Sequence, residues 1–193
     1  MDASINSNSM TDNSITSKET EDSISFEKSQ NKNLNEDIIN SISLNLKDII
    51  GENESQSKHI HRDIFYLSSI PSISLNDYIK RIMKYSKMDI SSLISAIIYI
   101  DRFCNKNDYI LAKNNIYFIL LSAILISIKF NEDYPVSNKY YSEIAGIPID
   151  TLRKLEIKMC LMLHFSLNIK YNVYKQYYDY FCNYSISKKE KSI

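Results

Sequence analysis

The sequence of 193 residues contains no tryptophan, only two glycines and only three prolines. Two isolated glycines cannot build the glycine-rich loop that cradles phosphate groups, which excludes the nucleotide-binding motifs that need such a loop. The cysteines are few, widely spaced and odd in number, which fits a reduced intracellular protein better than a disulfide scaffold. These cysteines are Cys104, Cys160 and Cys182.

Long apolar runs are also missing. The longest uncharged apolar run covers residues 114–128. A membrane-spanning helix needs about 20 such residues, so we expect a buried core helix and no membrane association. The first 30 residues have no apolar core, so we expect no signal peptide. We therefore expect the chain to act inside the cell, in the cytoplasm, the nucleus or both.

The residue patterns typical of enzymes and metal sites are absent from the sequence. The three histidines are His59, His61 and His164, and none stands at the spacing of a metal-binding motif with another His or Cys. No serine or cysteine lies in a recognisable nucleophile motif. The sequence therefore predicts no catalytic residues, no metal and no cofactor.

Composition divides the chain into three parts. Residues 1–33 are rich in Ser, Asn, Asp, Glu and Lys. Such a segment cannot bury enough apolar area to offset its conformational entropy, so we expect a disordered tail. Residues 34–184 repeat apolar side chains at three- and four-residue steps and predict a helical domain. Residues 185–193 form a short basic tail.

Every predicted element of the domain is a helix, so the predicted fold class is all-α. The segment 116–128 is apolar all round and should be the central helix, with its neighbours packed around it through short connections. Five helices form the core of the domain, and one further helix flanks it at each end. The helices are predicted at about residues 35–49, 77–85, 90–104, 116–130, 137–145, 151–164 and 173–184.

Asp101 is an unexpected charge in the predicted helix 90–104. It follows Ile97 by four residues and Ile98 by three, which places it on the apolar stripe of that helix. A buried carboxylate needs a cation or several N–H groups. Two interpretations are open, an exposed carboxylate at the helix end and an ion pair that joins two helices. The candidate partner for the ion pair is Arg81, the only arginine of the preceding helix.

Lys129 ends the apolar helix 116–130. The helix dipole alone favours a cation there, but a cation on a rigid helix end can also be aimed at a partner. The next long helix carries two apolar sets, with Glu156 at the margin between them, and the second set is covered either within the domain or by another protein. The first set is Leu152, Leu155, Met159 and Leu163, and the second is Ile157, Cys160, Leu161 and Phe165.

Together these segments resemble a cyclin box. Residues 99–103 (YIDRF) are similar to the end of the second helix of many cyclins, and residues 128–133 (IKFNED) to the end of the third. Residues 155–167 contain LE and MLHFSL, which resemble the fifth helix. Residues 71–85 and 138–147 are similar to segments of the phosphate-pathway, P/U-type cyclins. The resemblance covers roughly residues 36–183.

The resemblance implies a fold and a function. It implies a single cyclin box that binds and activates a cyclin-dependent protein kinase and has no catalytic residues of its own. Cyclins use the lysine and glutamate that match Lys129 and Glu156 to hydrogen-bond the kinase segment at its mobile helix. Asp101 would belong to the internal framework and not touch the kinase. The apolar kinase-contact positions match Phe130, Cys160, Phe165 and Leu167.

Two alternatives stay open at this point. A cyclin-fold module that binds nucleic acid would need a clustered basic face. Residues 61–193 hold 18 basic and 12 acidic residues, but the basic ones are spread among the helices, so we expect no nucleic-acid partner. The other alternative is an adaptor that holds a kinase or another partner without activating it.

Overall fold

The computed structural model describes the backbone of residues 13–55, 62–133 and 137–190, and the side chains of residues 33–55, 62–133 and 137–184. Within these ranges all regular structure is helical, which confirms the all-α fold. The helices are α1 (Asn13–Ser55), α2 (Leu75–Ser86), α3 (Ile90–Asn107), α4 (Ile116–Asn131), α5 (Asn138–Ala145), α6 (Ile149–Met162) and α7 (Tyr171–Glu190). In the described part of the chain, no helix is long and apolar enough to cross a membrane.

The chain forms two compact units, residues 1–36 and residues 37–193. The first contains the N-terminal part of α1, which begins at Asn13 and so starts earlier than the predicted helix at residue 35. The second contains the rest of α1 and helices α2–α7. The division into a polar tail, a helical domain and a basic tail stays a prediction. The expectations for His59, His61 and the last three residues lie outside the described residues.

Local sequence sets the helix ends. Ser74 Oγ accepts a hydrogen bond from the Asp77 N–H at 3.1 Å and donates to Asp77 Oδ2 at 2.6 Å, so Ser74 is the N-cap that starts α2. Ser137 caps α5 in the same position. Gly146 ends α5 with φ +69°, the left-handed conformation that glycine adopts without strain. The start of α6 differs from the prediction, because Pro148 precedes it and Asp150 lies in its first turn.

Helix α4 is the central helix, as predicted. From Ile116 to Ile128 every residue except Phe118 is buried. The two buried serines of this helix are satisfied: Ser122 Oγ donates to Phe118 O at 2.6 Å, and Ser127 Oγ donates to Ser92 O of α3 at 2.7 Å. Helices α3 and α6 pack directly on α4.

The C-terminal part of α1 and helix α7 complete the second unit. Ile38, Ile42, Leu46 and Ile50 of α1 are buried at four-residue steps, as the sequence pattern predicts. Hydrogen bonds join α1 to α7, from Asn45 Nδ2 to Tyr180 Oη at 3.0 Å and from Tyr184 Oη to Asp48 Oδ2 at 2.6 Å. The C-terminal part of α1 and helix α7 therefore form part of the packed second unit.

The contrast between α4 and the outer face of α6 can be tested with two matched isoleucines. Ile124 is fully buried and Ile157 is 60 % exposed. We expect Ile124→Ala to lower the free energy of unfolding by about 2–5 kcal/mol, because it removes buried methyl groups and leaves a cavity. We expect Ile157→Ala to change it by less than about 0.5 kcal/mol. Urea unfolding followed by circular dichroism measures both, and equal losses would contradict the central position of α4.

Candidate functional site

An ion pair joins the C-terminal end of α4 to α6. Lys129 Nζ donates to Glu156 Oε1 at 2.5 Å, and Asn138 Nδ2 at the start of α5 donates to Glu156 Oε2 at 2.8 Å. The Lys129 side chain is 32 % exposed and the Glu156 side chain 18 %. Glu156 therefore holds the ends of two other helices, while both charges stay within reach of the surface.

Large apolar side chains flank this ion pair and remain exposed. Phe130 and Ile157 directly follow the paired residues in the chain, and Leu161 lies one turn beyond Ile157 on α6. Phe130 is 53 % exposed, Ile157 60 %, Leu161 53 % and Phe165 67 %. We call the surface formed by Lys129, Phe130, Glu156, Ile157, Cys160, Leu161 and Phe165 the α4–α6 patch. Exposed apolar side chains concentrated in this way mark interaction surfaces.

The two apolar sets predicted for α6 have separate environments. Leu152, Leu155, Met159 and Leu163 are fully buried. The second set faces outward, apart from Cys160, which is partly buried against the core. Burial raises the pKa of the Cys160 thiol, Glu156 raises it further and Lys129 opposes the rise. The thiol therefore stays protonated and acts as a small apolar group within the patch.

The end of α6 places Phe165. The Phe165 N–H donates to Cys160 O at 3.0 Å and the His164 N–H donates to Leu161 O at 2.9 Å, which is a Schellman motif. His164 and Phe165 have φ values of 52° and 54°. A side chain in this left-handed region is strained, and two in succession persist only where the surroundings hold the backbone. Leu167 follows and is partly buried against the core.

The structure does not bring Asp101 and Arg81 together, so the predicted ion pair is corrected. Asp101 is exposed, and its Oδ2 accepts hydrogen bonds from Tyr177 Oη at 2.8 Å and Asn105 Nδ2 at 3.1 Å. Arg81 is exposed on α2, and the ion pairs among the described residues include neither group. The physical reason is that this side of α3 faces α7, a later helix, and a phenol from that helix takes the place of the cation.

Sequence analysis missed a group of hydrogen-bond donors on α3, which we call the α3 donor set. Tyr99 Oη donates to Leu167 O at 2.8 Å. Arg102 Nη1 donates to Ser166 O and to Asn168 O, each at 3.0 Å. Two further members bond to the end of α6 and its neighbouring turn: Lys106 Nζ to Leu163 O at 3.2 Å and Asn107 Nδ2 to Met162 O at 3.3 Å. The available signal was the three- and four-residue spacing of Tyr99, Arg102 and Lys106, which places them on one helix face.

A separate cavity of about 530 Å³ lies between α1, α3 and α7. Its walls are mainly apolar, and Asp101 is its one charged lining residue. Burial, together with Asp101, raises the pKa of the Cys104 thiol in this cavity to about 12, so the thiol is not a nucleophile near neutral pH. Across the described ranges, no three His, Cys, Asp or Glu side chains cluster as metal ligands do. This cavity is therefore distinct from the α4–α6 patch, where the exposed apolar side chains lie.

Comparison with known proteins gives a consistent result. A family model described as Cyclin matches residues 3–167. The chain is 30 % identical to Cyclin-U2-1 of Arabidopsis thaliana over 115 residues, which is 59 % of this chain and 52 % of that protein. It is 28 % identical to Cyclin-U4-3 of the same plant over 141 residues, covering 72 % and 64 %. It is 25 % identical to Cyclin-P3-1 of Oryza sativa subsp. japonica over 114 residues, covering 59 % and 48 %. The chain spans about half the length of the first of these relatives.

The coupling between Lys129 and Glu156 can be measured by a double-mutant cycle. We expect alanine substitutions of both residues, singly and together, to give a coupling free energy of about 1 kcal/mol, because the pair is partly buried and well aligned. The matched control is the Lys175–Asp179 pair of α7, which is more exposed and should couple more weakly. Urea unfolding at low salt measures both cycles, and a coupling no larger than that of the control would contradict a structural role for the pair.

Stability at alkaline pH reports on Tyr99. Burial raises the pKa of Tyr99 to about 12 from 10, and Arg102 opposes this rise. The folded state therefore favours the neutral phenol. Its contribution is fully present below pH 10 and is lost as the pH rises through about 12. We expect the urea midpoint of Tyr99→Phe to be lower at pH 8, since the bond to Leu167 O is lost, but to fall less between pH 10 and 12.

The control for this measurement is Tyr171→Phe. Tyr171 lies at the start of α7, and its side chain stays largely in contact with water in the folded chain. Its midpoint profile should follow that of the unsubstituted chain. A Tyr99→Phe profile as steep as the control's would show that Tyr99 does not drive the alkaline loss of stability.

Proposed function

The chain belongs to the cyclin family, whose members are regulatory proteins and not enzymes, and from this premise we propose that it binds and activates a cyclin-dependent protein kinase. The chain is a P/U-type cyclin with one cyclin box, similar to the U-type and P-type plant proteins. The kinase is its partner in a heterodimer, and the α4–α6 patch is the contact surface. The observation that supports this proposal most directly is the exposure of large apolar side chains next to Lys129 and Glu156 on α4 and α6.

The composition of the patch suits a protein interface. Aromatic and aliphatic anchors at the centre supply most of the binding energy in protein complexes, and charged groups at their edge supply orientation. Phe130 and Phe165 are the aromatic anchors, with Ile157 and Leu161 beside them. Lys129 and Glu156 are the orienting charges. All of them except Phe165 lie on helices, so a partner would meet a surface whose backbone is already fixed.

The ion pair prepares both charges for binding. In the free chain, Lys129 and Glu156 restrain each other's rotamers and are already partly shielded from water. The side-chain entropy that a partner would otherwise have to remove is therefore lower. Each group keeps further hydrogen-bonding capacity, since an ammonium carries three donors and a carboxylate several acceptor sites. Main-chain groups of a kinase can engage that capacity without breaking the pair.

Activation follows from differential binding. A protein kinase is active when a lysine of its small lobe pairs with a glutamate on its mobile helix. A rigid surface that binds this arrangement better than the inactive one shifts the population towards it. To move a kinase from about 1 % to about 99 % active, the cyclin must bind the active form about 10⁴-fold more tightly. A surface that deformed to fit both forms could not produce this difference.

The binding part of the proposal is tested by Lys129→Glu. The kinase is first captured from native lysate on the tagged chain and identified by mass spectrometry, and its affinity is then measured with purified components. We expect the substitution to cost about 2–5 kcal/mol of binding free energy, which corresponds to a Kd higher by at least about 30-fold, because it reverses a partly desolvated charge. It also places two carboxylates together at Glu156.

The matched control is Lys175→Glu, which makes the same charge change on α7, outside the patch. Circular dichroism and thermal unfolding establish that both variants are folded. A folded Lys129→Glu variant that retains the kinase with unchanged Kd would refute the α4–α6 patch as the contact surface.

The activating part needs a separate measurement, namely phosphorylation of a peptide substrate by the identified kinase with and without the purified chain. We expect a large rise in kcat/KM on addition of the chain and no such rise with Lys129→Glu. A kinase that binds tightly but gains no activity would identify the chain as an adaptor.

A further inference from the structure

The segment after α6 has an unusual hydrogen-bonding environment. Residues 162–168 carry Phe165 of the α4–α6 patch and Leu167, a further contact position that the resemblance to cyclins implies. Beyond Met162 they belong neither to a helix nor to a sheet. Five of their carbonyl oxygens accept hydrogen bonds from side chains of a single helix, α3. These carbonyls belong to Met162, Leu163, Ser166, Leu167 and Asn168. Loop carbonyls ordinarily point to water, so this concentration on one helix requires an explanation.

Arg102 is the centre of this arrangement. Its Nη1 bonds to the carbonyls on either side of Leu167, and Tyr99 bonds to the carbonyl of Leu167 itself. Three consecutive peptide groups are therefore held by two side chains one helical turn apart. Hydrogen bonds from a charged guanidinium are stronger than those between neutral groups. The orientation of these three peptide groups is fixed relative to α3.

The helix that supplies these donors is itself well anchored. Residues 92–100 of α3 are buried without interruption, and α3 packs against α4, α6 and α7. The start of the segment and the helix that follows it are both tied to α3. Asn107 and Lys106 bond to its beginning, and Asp101 accepts a hydrogen bond from Tyr177 of α7, which follows it. Both ends of the segment are therefore attached, directly or through α7, to helix α3.

Strain in the segment makes such an attachment necessary. His164 and Phe165 both occupy the left-handed region that side chains disfavour. Relaxation of this backbone to negative φ values would move the exposed Phe165 side chain away from its present position. The hydrogen bonds to α3 oppose that relaxation because they hold the Leu163 carbonyl just before the two strained residues and the carbonyls from Ser166 onward after them.

We propose that the α3 donor set, and Arg102 above all, preorganises residues 162–168 for partner binding. Arg102 is then a positioning residue that sets the affinity for the kinase through the backbone that carries Phe165 and Leu167. This inference rests on the proposed function, since it assigns the segment to the kinase contact surface. It predicts that a change at Arg102 loosens the segment in the free chain and weakens kinase binding by the same factor.

The loss of affinity can be calculated from the fraction of the free chain whose segment is ready to bind. If only a fraction of the free chain holds the competent segment, the apparent Kd is the intrinsic Kd divided by that fraction. We expect Arg102→Ala to raise the amide hydrogen-exchange rates of His164, Phe165, Ser166 and Leu167 and to lower the competent fraction to about one tenth, so that Kd rises about tenfold. Arg102→Lys, which keeps a cation but lacks the planar guanidinium, should give a smaller rise in both quantities.

The matched control is Arg81→Ala, because Arg81 is an exposed arginine on α2. It should change neither the exchange of the segment nor Kd. A double-mutant comparison with Phe165→Ala distinguishes this positioning role from a merely structural role of Arg102. If Arg102 acts through the placement of Phe165, Arg102→Ala should have a much smaller effect on Kd when Phe165→Ala is already present. Fully additive effects, or faster exchange with an unchanged Kd, would overturn the proposal.

The experiment separates this inference from the proposed function. Hydrogen exchange is measured on the free chain and needs no kinase, so unchanged exchange in Arg102→Ala refutes the holding role whatever binds. Lys129→Glu serves as the reference in the binding measurement. If Lys129→Glu leaves Kd unchanged, the patch is wrong. If Lys129→Glu weakens binding but Arg102→Ala does not, the patch stands and the positioning role fails.

Discussion

The burial of α4 on all sides from Ile116 to Ile128, with Phe118 the one exception, is the constraint on which the rest of the structure depends. A helix that is apolar on every side leaves no face for water, so its neighbours must surround it. Helices α3 and α6 pack on it directly, and the other helices of the second unit extend the packed core. The charge of α4 is confined to its C-terminal end at Lys129. The place where α4 reaches the surface therefore fixes where a positioned cation can be presented.

The α4–α6 patch follows from that constraint. Helix α6 uses one apolar face to cover α4 and keeps a second face outward, with Glu156 between the two. Its inner face, like α4, could be recognised from the amino-acid pattern. The outer face is what a soluble domain would ordinarily avoid, because exposed apolar area favours association. Binding another protein gives a physical reason for that cost.

The backbone of the segment that carries Phe165 depends on contacts with a helix that is distant in the sequence. Its backbone strain is local, at His164 and Phe165, but the groups that hold it come from a helix some 60 residues earlier in the chain. The same YIDRF segment supplies Asp101, which fixes α7. Two adjacent charged residues of α3 thus hold the two parts of the chain that follow α6. Arg102 contacts main-chain oxygens and Asp101 contacts a phenol, and the ion pairs found among the described residues include neither of them.

Periodicity and end signals in the sequence determined that there are seven helices in the described part of the chain, the central place of α4 and the two faces of α6, because burial of an apolar stripe depends on spacing within one helix. They did not determine the early start of α1 at Asn13. The resemblance carried by residues 99–103 and 128–133 led to the cyclin family. Only the tertiary structure decided which partner each polar group meets. Lys129 and Glu156 are 27 residues apart, and Arg102 and Ser166 are 64 apart, so spacing within a helix says nothing of their pairing. The sequence offers Arg81, the only arginine of the preceding helix, as the candidate partner of Asp101, whereas packing against α7 brings Tyr177 to it instead.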